Sequence, residues 1–256
     1  MKAVIVGYGQ MGHEIERVLR DRGHAIAAIV DPAASGATAP SLDEAIRILA
    51  EGDSPGEPVV AIDFALPDSV QANTKAYARA GWAAVLGTTG WEDRREEVLA
   101  PVRAAGTSLV YGSNFSVGAN MFVRVARYAA RLASRTGEYD AALVELHHRL
   151  KKDSPSGTAI TVAQVMQEEL KEKRLIQVET VHRRIEREEL HVISGRVGSV
   201  PGTHTVMLDS TADTVELTHR ARSRQGFAVG AVQAAEWIVG RRGVYSVEAF
   251  FDDLFE

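Results

Sequence analysis

The chain has 256 residues, 45% hydrophobic and 25% charged, a composition that fits a soluble globular protein of one large or two modest domains. A formal net charge of -5 excludes the global basic field that nucleic acid selects, and the lack of cysteine excludes disulfides, thiolate catalysis and thiolate metal sites. No apolar run approaches a membrane span, and the N-terminus enters a strand directly with no signal peptide, so a cytoplasmic enzyme with no membrane partner is the simplest expectation.

Lys2 to Val6 is a β-branched run that reads as a buried strand. Gly7-Tyr8-Gly9-Gln10-Met11-Gly12 follows, and then a helical pattern through Met11, Ile15, Val18 and Leu19 that ends near Gly23. Between a strand and a helix, G-x-G-x-x-G is a dinucleotide fingerprint. Gly7 permits the tight turn, Gly9 lets the backbone approach a pyrophosphate, and Gly12 allows close helix–strand packing. A second strand, 25–30, ends in Asp31, at the distance where the fingerprint places an acid on the adenosine ribose; no Arg follows to hold a 2′-phosphate, which favours NADH over NADPH. Residues 33–40 read as a loop, and Ser41 with Glu44 as a capping box for a helix to about Ala50. Strands follow at 59–64, 83–86 and 108–111, with helices at 67–80 and 92–105 between them. Five strands alternating with helices predict a doubly wound parallel sheet whose ligands sit at the C-terminal strand ends, where Phe64, Gly87, Thr88, Thr89, Gly112, Ser113, Asn114 and Phe115 fall.

Val117 to Ser134 reads as a long helix entering a second domain. After a strand at 141–146 come five cationic or protonatable side chains within six residues (His147, His148, Arg149, Lys151, Lys152), then Ser154-Pro155-Ser156-Gly157-Thr158, then apolar residues at helical spacing from Ala159 to Leu170. A strand thus delivers two histidines and a lysine to a loop that opens a helix. Helix N-termini favour anions, and histidine can hold or release a proton near neutral pH. The pattern points to a small polyanion with a proton donor beside it. Residues 171–189 are heavily charged and read as an exposed excursion; strands at 190–194, 203–209 and 214–221, with no helix between, are expected to pair antiparallel. A helix from Phe227 to Val239 and a short helix capped by Ser246 close the chain.

The string Glu145-x-His147-His148-x-x-Lys151-x-Asp153-x-Pro155-Ser156-Gly157-Thr158-Ala159 resembles the signature of the dihydrodipicolinate reductases, also called 4-hydroxy-tetrahydrodipicolinate reductases. The resemblance extends to the glycine loop, to Gly-Thr-Thr-Gly and Asn-Phe-Ser at 87–90 and 114–116, and to Ser223-Arg224-x-x-Phe227. It implies a Rossmann-like domain over 1–116 and 228–256, and a smaller α+β substrate and tetramerisation domain over 117–227 with an open mixed sheet. It implies reduction of a small cyclic dicarboxylate by NADH or NADPH in the lysine and diaminopimelate pathway. It places His147 and Lys151 as proton donors, with His148, Lys151, Ser156, Gly157 and Thr158 on the substrate carboxylates. It places Gly7, Tyr8, Gly9, Gln10, Met11, Gly12, Asp31, Phe64, the 87–89 and 112–115 loops, Arg224 and Phe227 around the cofactor, in a homotetramer.

The chain departs from the family at two places: Gln10 stands where the commoner, longer family loop carries Arg, which weakens NADPH use, and Leu66 stands where many members have an Arg after the Asp-Phe strand end, so that contact is absent. Rival readings are another Rossmann dehydrogenase with a sheet-rich substrate domain, which would lack the His-His-x-x-Lys string, and a nicotinamide-binding sensor, which would not need it. A metal held by His147, His148, His204 and His219 is disfavoured, because adjacent strand residues point to opposite faces.

Overall fold

The computed structural model describes residues 1–51 and 56–256, which divide into two compact units, Met1–Val117 with Arg224–Glu256, and Gly118–Ser223. The first is built from β1 (Lys2–Val6), α1 (Gln10–Asp21), β2 (Ala25–Val30), α2 (Leu42–Glu51), β3 (Val59–Asp63), α3 (Val70–Ala80), β4 (Ala83–Leu86), α4 (Arg95–Ala105) and β5 (Ser108–Tyr111). The second contains α5 (Val117–Thr136), which starts at the boundary, β6 (Asp140–His147), α6 (Gly157–Glu169), β7 (Leu175–Gln177), β8 (Glu189–Arg196), β9 (Thr203–Asp209) and β10 (Thr214–Arg220). The chain then returns to the first unit as α7 (Gln225–Ile238), β11 (Gly243–Ser246) and α8 (Val247–Phe255).

In the first unit six parallel strands lie in the order β11-β5-β4-β3-β1-β2. Strand residues are apolar on both faces because both are covered. Ala3, Ile5, Ile62 and Val110 pack with α1, α7 and α8, whereas Val4, Val6, Ala61, Ala84 and Leu109 pack with α2, α3 and α4. The order reverses between β1 and β3, so the glycine loop that follows β1 lies at the topological switch point, where open α/β sheets bind ligands. The sixth strand, β11, was not expected. Its four residues are only partly buried at the sheet edge, too short and too mixed to show a period.

The second unit is a mixed five-stranded sheet, β10-β9-β6-β8-β7. Along β6 and β9 buried and half-exposed residues alternate, the signature of a sheet covered on one side. Phe122, Ala126, Ala130, Val162, Ala163 and Met166 of α5 and α6 close that side over Leu143, Val192 and Val206. Two expectations are corrected. The expected antiparallel pairing forms between β9 and β10 but not between β8 and β9, because β6 separates those two and pairs parallel with β8 and antiparallel with β9. Nor is 171–189 simply exposed. Lys173 is buried, its ammonium bonded to Asp140 and to the carbonyls of Arg187 and Glu189 at 3.0 and 2.9 Å, and β7 adds an edge strand beside β8. A buried lysine is tolerated where its three protons find acceptors, which composition cannot show.

Candidate active site

Two of the three glycines in the loop leave no room for a side chain. Gly7 has φ +86°, and a Cβ there would meet the Phe64 carbonyl oxygen at 2.6 Å; at Gly12 a Cβ would meet the Gly7 oxygen at 2.4 Å. Gly9, the N-cap of α1, has no atom within 4 Å of its Cβ direction and no side-chain cap. The loop is closed towards the protein and open at the N-terminus of α1, a cradle that fits a pyrophosphate. Arg224 reaches the Gln10 side chain there, so a guanidinium from a distant segment stands beside the helix start. Asp31 accepts the N–H groups of Tyr8, Ala33 and Ala34, each at 2.9 Å; the Tyr8 bond above all holds its carboxyl below the usual range. Asp31 thus fills the ordinary turn role at the end of β2 and also ties that end to the glycine loop through Tyr8.

The other strand ends are organised by Asp63, which the sequence reading passed over. It is fully buried and accepts from Tyr77 Oη at 2.7 Å, Asn73 Nδ2 at 2.9 Å, Thr88 Oγ1 at 3.0 Å and the Ala65 N–H at 3.0 Å. Gly87 is needed because a Cβ would meet the Phe64 ring at 2.2 Å, and Gly112 because one would meet Val247 at the same distance. Two side chains expected at the cofactor turn inward instead. Thr88 is buried on Asp63, and Phe115 is buried in the core against Phe64, so only their backbone can face a ligand. Thr89 lies in the same loop as Gly87. Ser113 is exposed, Asn114 Oδ1 accepts the Ser116 N–H at 2.9 Å, Met11 packs against the core, and Phe227 lies in the first turn of α7.

In the second unit Glu145 and His147 share the covered face of β6, and both are buried. Glu145 Oε2 touches His147 Nδ1. Its Oε1 accepts from Arg196 Nη1 at 2.9 Å and from the Ser156 N–H at 3.3 Å. Burial opposes ionisation of Glu145, but Arg196 and His147 more than offset it, and its carboxyl lies below the usual range. Burial lowers His147 in spite of Glu145, so the pair is a carboxylate beside a neutral imidazole. His148 follows the strand half-buried, and its carbonyl accepts the Lys151 N–H at 3.1 Å. Lys151 Nζ lies 2.9 Å from Asp153 Oδ1, so Asp153 anchors the lysine.

Ser156, expected to bind substrate, is buried: it caps α6 by accepting the Ala159 N–H at 3.2 Å and meets His204 Nε2 at 3.1 Å. Gly157 follows with open space at its Cβ direction, and Thr158 is half-buried on the first turn. Glu145, His147 and His204 bring one ligand atom each within 4.8 Å of one another, a grouping of the kind metal ions use. Arg196 already occupies Glu145, and Lys151 and the start of α6 add positive charge, so the surroundings suit an anion better than a cation. His148 is not part of that cluster. Glu145 could have been found from its i, i+2 spacing to His147, which puts both on one strand face. Arg196 and His204, about fifty residues away, carry no local signal.

The comparisons with known proteins agree with this architecture. The family model described as dihydrodipicolinate reductase, N-terminus, matches residues 1–115, and that described as dihydrodipicolinate reductase, C-terminus, matches 118–251. A 4-hydroxy-tetrahydrodipicolinate reductase of Christiangramia forsetii is 34% identical over 256 residues, the whole of both chains. One of Methanoregula boonei is 42% identical over 193 residues, 75% of this chain and 74% of its own. A dipicolinate-bound dihydrodipicolinate reductase of Paenisporosarcina sp. TG-14 has the same fold, with a TM-score of 0.71 at 20% identity over 97% of this chain and 98% of that one. With both halves matched in order and a full-length relative at that identity, the chain belongs to the dihydrodipicolinate reductase family.

Proposed function

We propose that the chain reduces 4-hydroxy-tetrahydrodipicolinate to tetrahydrodipicolinate with NADH, in the diaminopimelate route to lysine. Overall, one hydride and one proton are added to a cyclic dicarboxylate and one water leaves. The observation that carries this reading is the gathering of His147, His148, Lys151 and the N-terminus of α6 around one strand end, cationic and partly buried, in a chain of this family. A bound reduced nicotinamide supplies the hydride. The first unit holds that nucleotide by the 7–12 loop and α1 at the pyrophosphate, with Arg224 adjacent, by Asp31 at the ribose, and by the backbone of the 87–89 and 112–115 loops with Phe64 and Phe227 towards the nicotinamide. In the second unit His148, Lys151, Gly157 and Thr158 grip the carboxylates, and His147 and Lys151 deliver the proton.

NADH is preferred because Asp31 is held as a carboxylate and residues 32–40 contain no cation, so a 2′-phosphate would meet repulsion with nothing to offset it. Four copies assemble through the uncovered face of the second sheet, where Ala142, Val144, Leu146, Ile193 and Met207 form an apolar band across three strands. The test is oxidation of NADH or NADPH with freshly generated product of dihydrodipicolinate synthase. Turnover with both, faster at low NADH, and competition by pyridine-2,6-dicarboxylate are expected. No turnover with either nucleotide would remove the assignment, and a lower KM for NADPH would reverse the cofactor preference alone.

A further inference from the structure

We infer that Glu145 is a positioning residue that fixes which nitrogen of His147 carries the proton, so that the imidazole meets the substrate through an unprotonated Nε2 and takes up and hands on its proton there. This rests on the reading of His147 as a proton-moving group. Glu145 is fully buried, and the partners of its carboxylate other than His147, the Arg196 guanidinium and the Ser156 N–H, are donors. Arg196 Nη1 and the Ser156 N–H occupy Oε1, leaving Oε2 to the His147 ring. A carboxylate against a guanidinium stays ionised and only accepts, so the His147 atom touching it, Nδ1, must be the N–H. A neutral imidazole has a single N–H, so Nε2 carries the lone pair. Among the described residues no hydrogen bond reaches Nε2, and Gly202 leaves it room: a Cβ there would lie 3.0 Å from that nitrogen. When Nε2 takes up a proton, the imidazolium faces a buried carboxylate and is stabilised; release of that proton to the substrate restores the starting tautomer.

The same contacts tie the histidine to the substrate cradle. Ser156 donates its N–H to Glu145 and caps α6 with its hydroxyl, so one carboxylate sets both the ring and the start of the anion-binding helix. Arg196 reinforces this by also donating to the Asp153 carbonyl at 2.6 Å, in the loop that holds Lys151.

Glu145→Gln separates orientation from mere bulk. Arg196 and the Ser156 N–H, both donors, will keep the amide oxygen, which turns the amide NH2 towards Nδ1 and drives the proton to Nε2. Long-range proton–nitrogen NMR of the full chain labelled with 15N-histidine, with the His147 signals identified by their loss in His147→Gln, reads the tautomer directly. The wild type should show Nδ1–H, and Glu145→Gln should show Nε2–H with kcat reduced about 10²-fold or more and pyridine-2,6-dicarboxylate and NADH affinities little changed. Nε2–H in the wild type overturns the inference without recourse to any variant, so a poorly folding Glu145→Gln does not shield it. An unflipped tautomer in a folded Glu145→Gln also overturns it. A flipped tautomer with undiminished kcat removes His147 from the proton path, and so overturns the functional role of that residue rather than its pairing with Glu145.

Discussion

Asp63 and Glu145 are both fully buried carboxylates at the C-terminal ends of strands, one in each unit, and they do different work. Asp63 is surrounded by neutral donors, a tyrosine and a threonine hydroxyl, an asparagine amide and a backbone N–H. None of these changes charge near neutral pH, so the arrangement can only hold loops in place. Glu145 shares its oxygens between a guanidinium, a backbone N–H and an imidazole. One of those partners, the imidazole, can take up and release a proton, which is what would let the same kind of buried acid serve the proposed proton path. What distinguishes scaffold from chemistry here is the partner set, since burial is equal.

The comparison can be broken most forcefully at the titrating partner. His147→Gln should lower kcat by about 10²- to 10⁴-fold with NADH affinity retained, and Lys151→Ala should act in the same direction. Near-normal turnover in His147→Gln would make Glu145 as purely structural as Asp63. A second measurement concerns the histidines behind the site. Burial pushes His204 down to about 4, and burial also lowers His147 and His219. A histidine whose folded value lies below its unfolded 6.5 binds more protons when unfolded. Its stabilisation is complete above pH 6.5 and is lost as pH falls towards 4, up to about 3 kcal/mol from His204. Thermal melts across that window should show the loss, and His204→Gln should flatten it; parallel curves would contradict the burial argument.

Asp63→Asn sharpens the contrast from the other side. Two of four donors would then face an amide NH2, so stability should fall by about 2 kcal/mol while the folded fraction keeps its kcat and the pH dependence of its rate. A stable Asp63→Asn variant without turnover would put Asp63 in the chemistry and dissolve the distinction. The smallest effect expected is at the ribose. Asp31→Ser removes the anion and should shift the NADPH to NADH ratio of kcat/KM by about tenfold, roughly 1.4 kcal/mol. An unchanged ratio would mean that discrimination lies elsewhere.

Much of the first unit was legible because its signals are local. The glycine loop, Asp31 and the alternation of strands and helices arise from backbone sterics and from neighbours within a few residues, and β1, β2, β4 and β5 occupy the segments that periodicity indicates. Ser246 caps α8 for the same reason, through a bond to Ala249 N at 3.4 Å. The inward turn of Thr88 and Phe115 was not legible, since a hydroxyl or ring in a Gly-rich loop reads alike whether it faces ligand or core.

In the second unit the residue string at 145–159 specified the chemistry, a strand end, two histidines, a lysine and a capped helix, because those residues are consecutive and their geometry is set by the strand and by the helix N-terminus. Tertiary structure decided their partners. Arg196 meets Glu145 because β8 pairs with β6, His204 meets Ser156 because β9 pairs with it on the other side, and Lys173 is buried because three acceptors converge on it. Strand pairing between segments fifty residues apart is chosen by the packing of whole faces, and no local pattern in the chain encodes it.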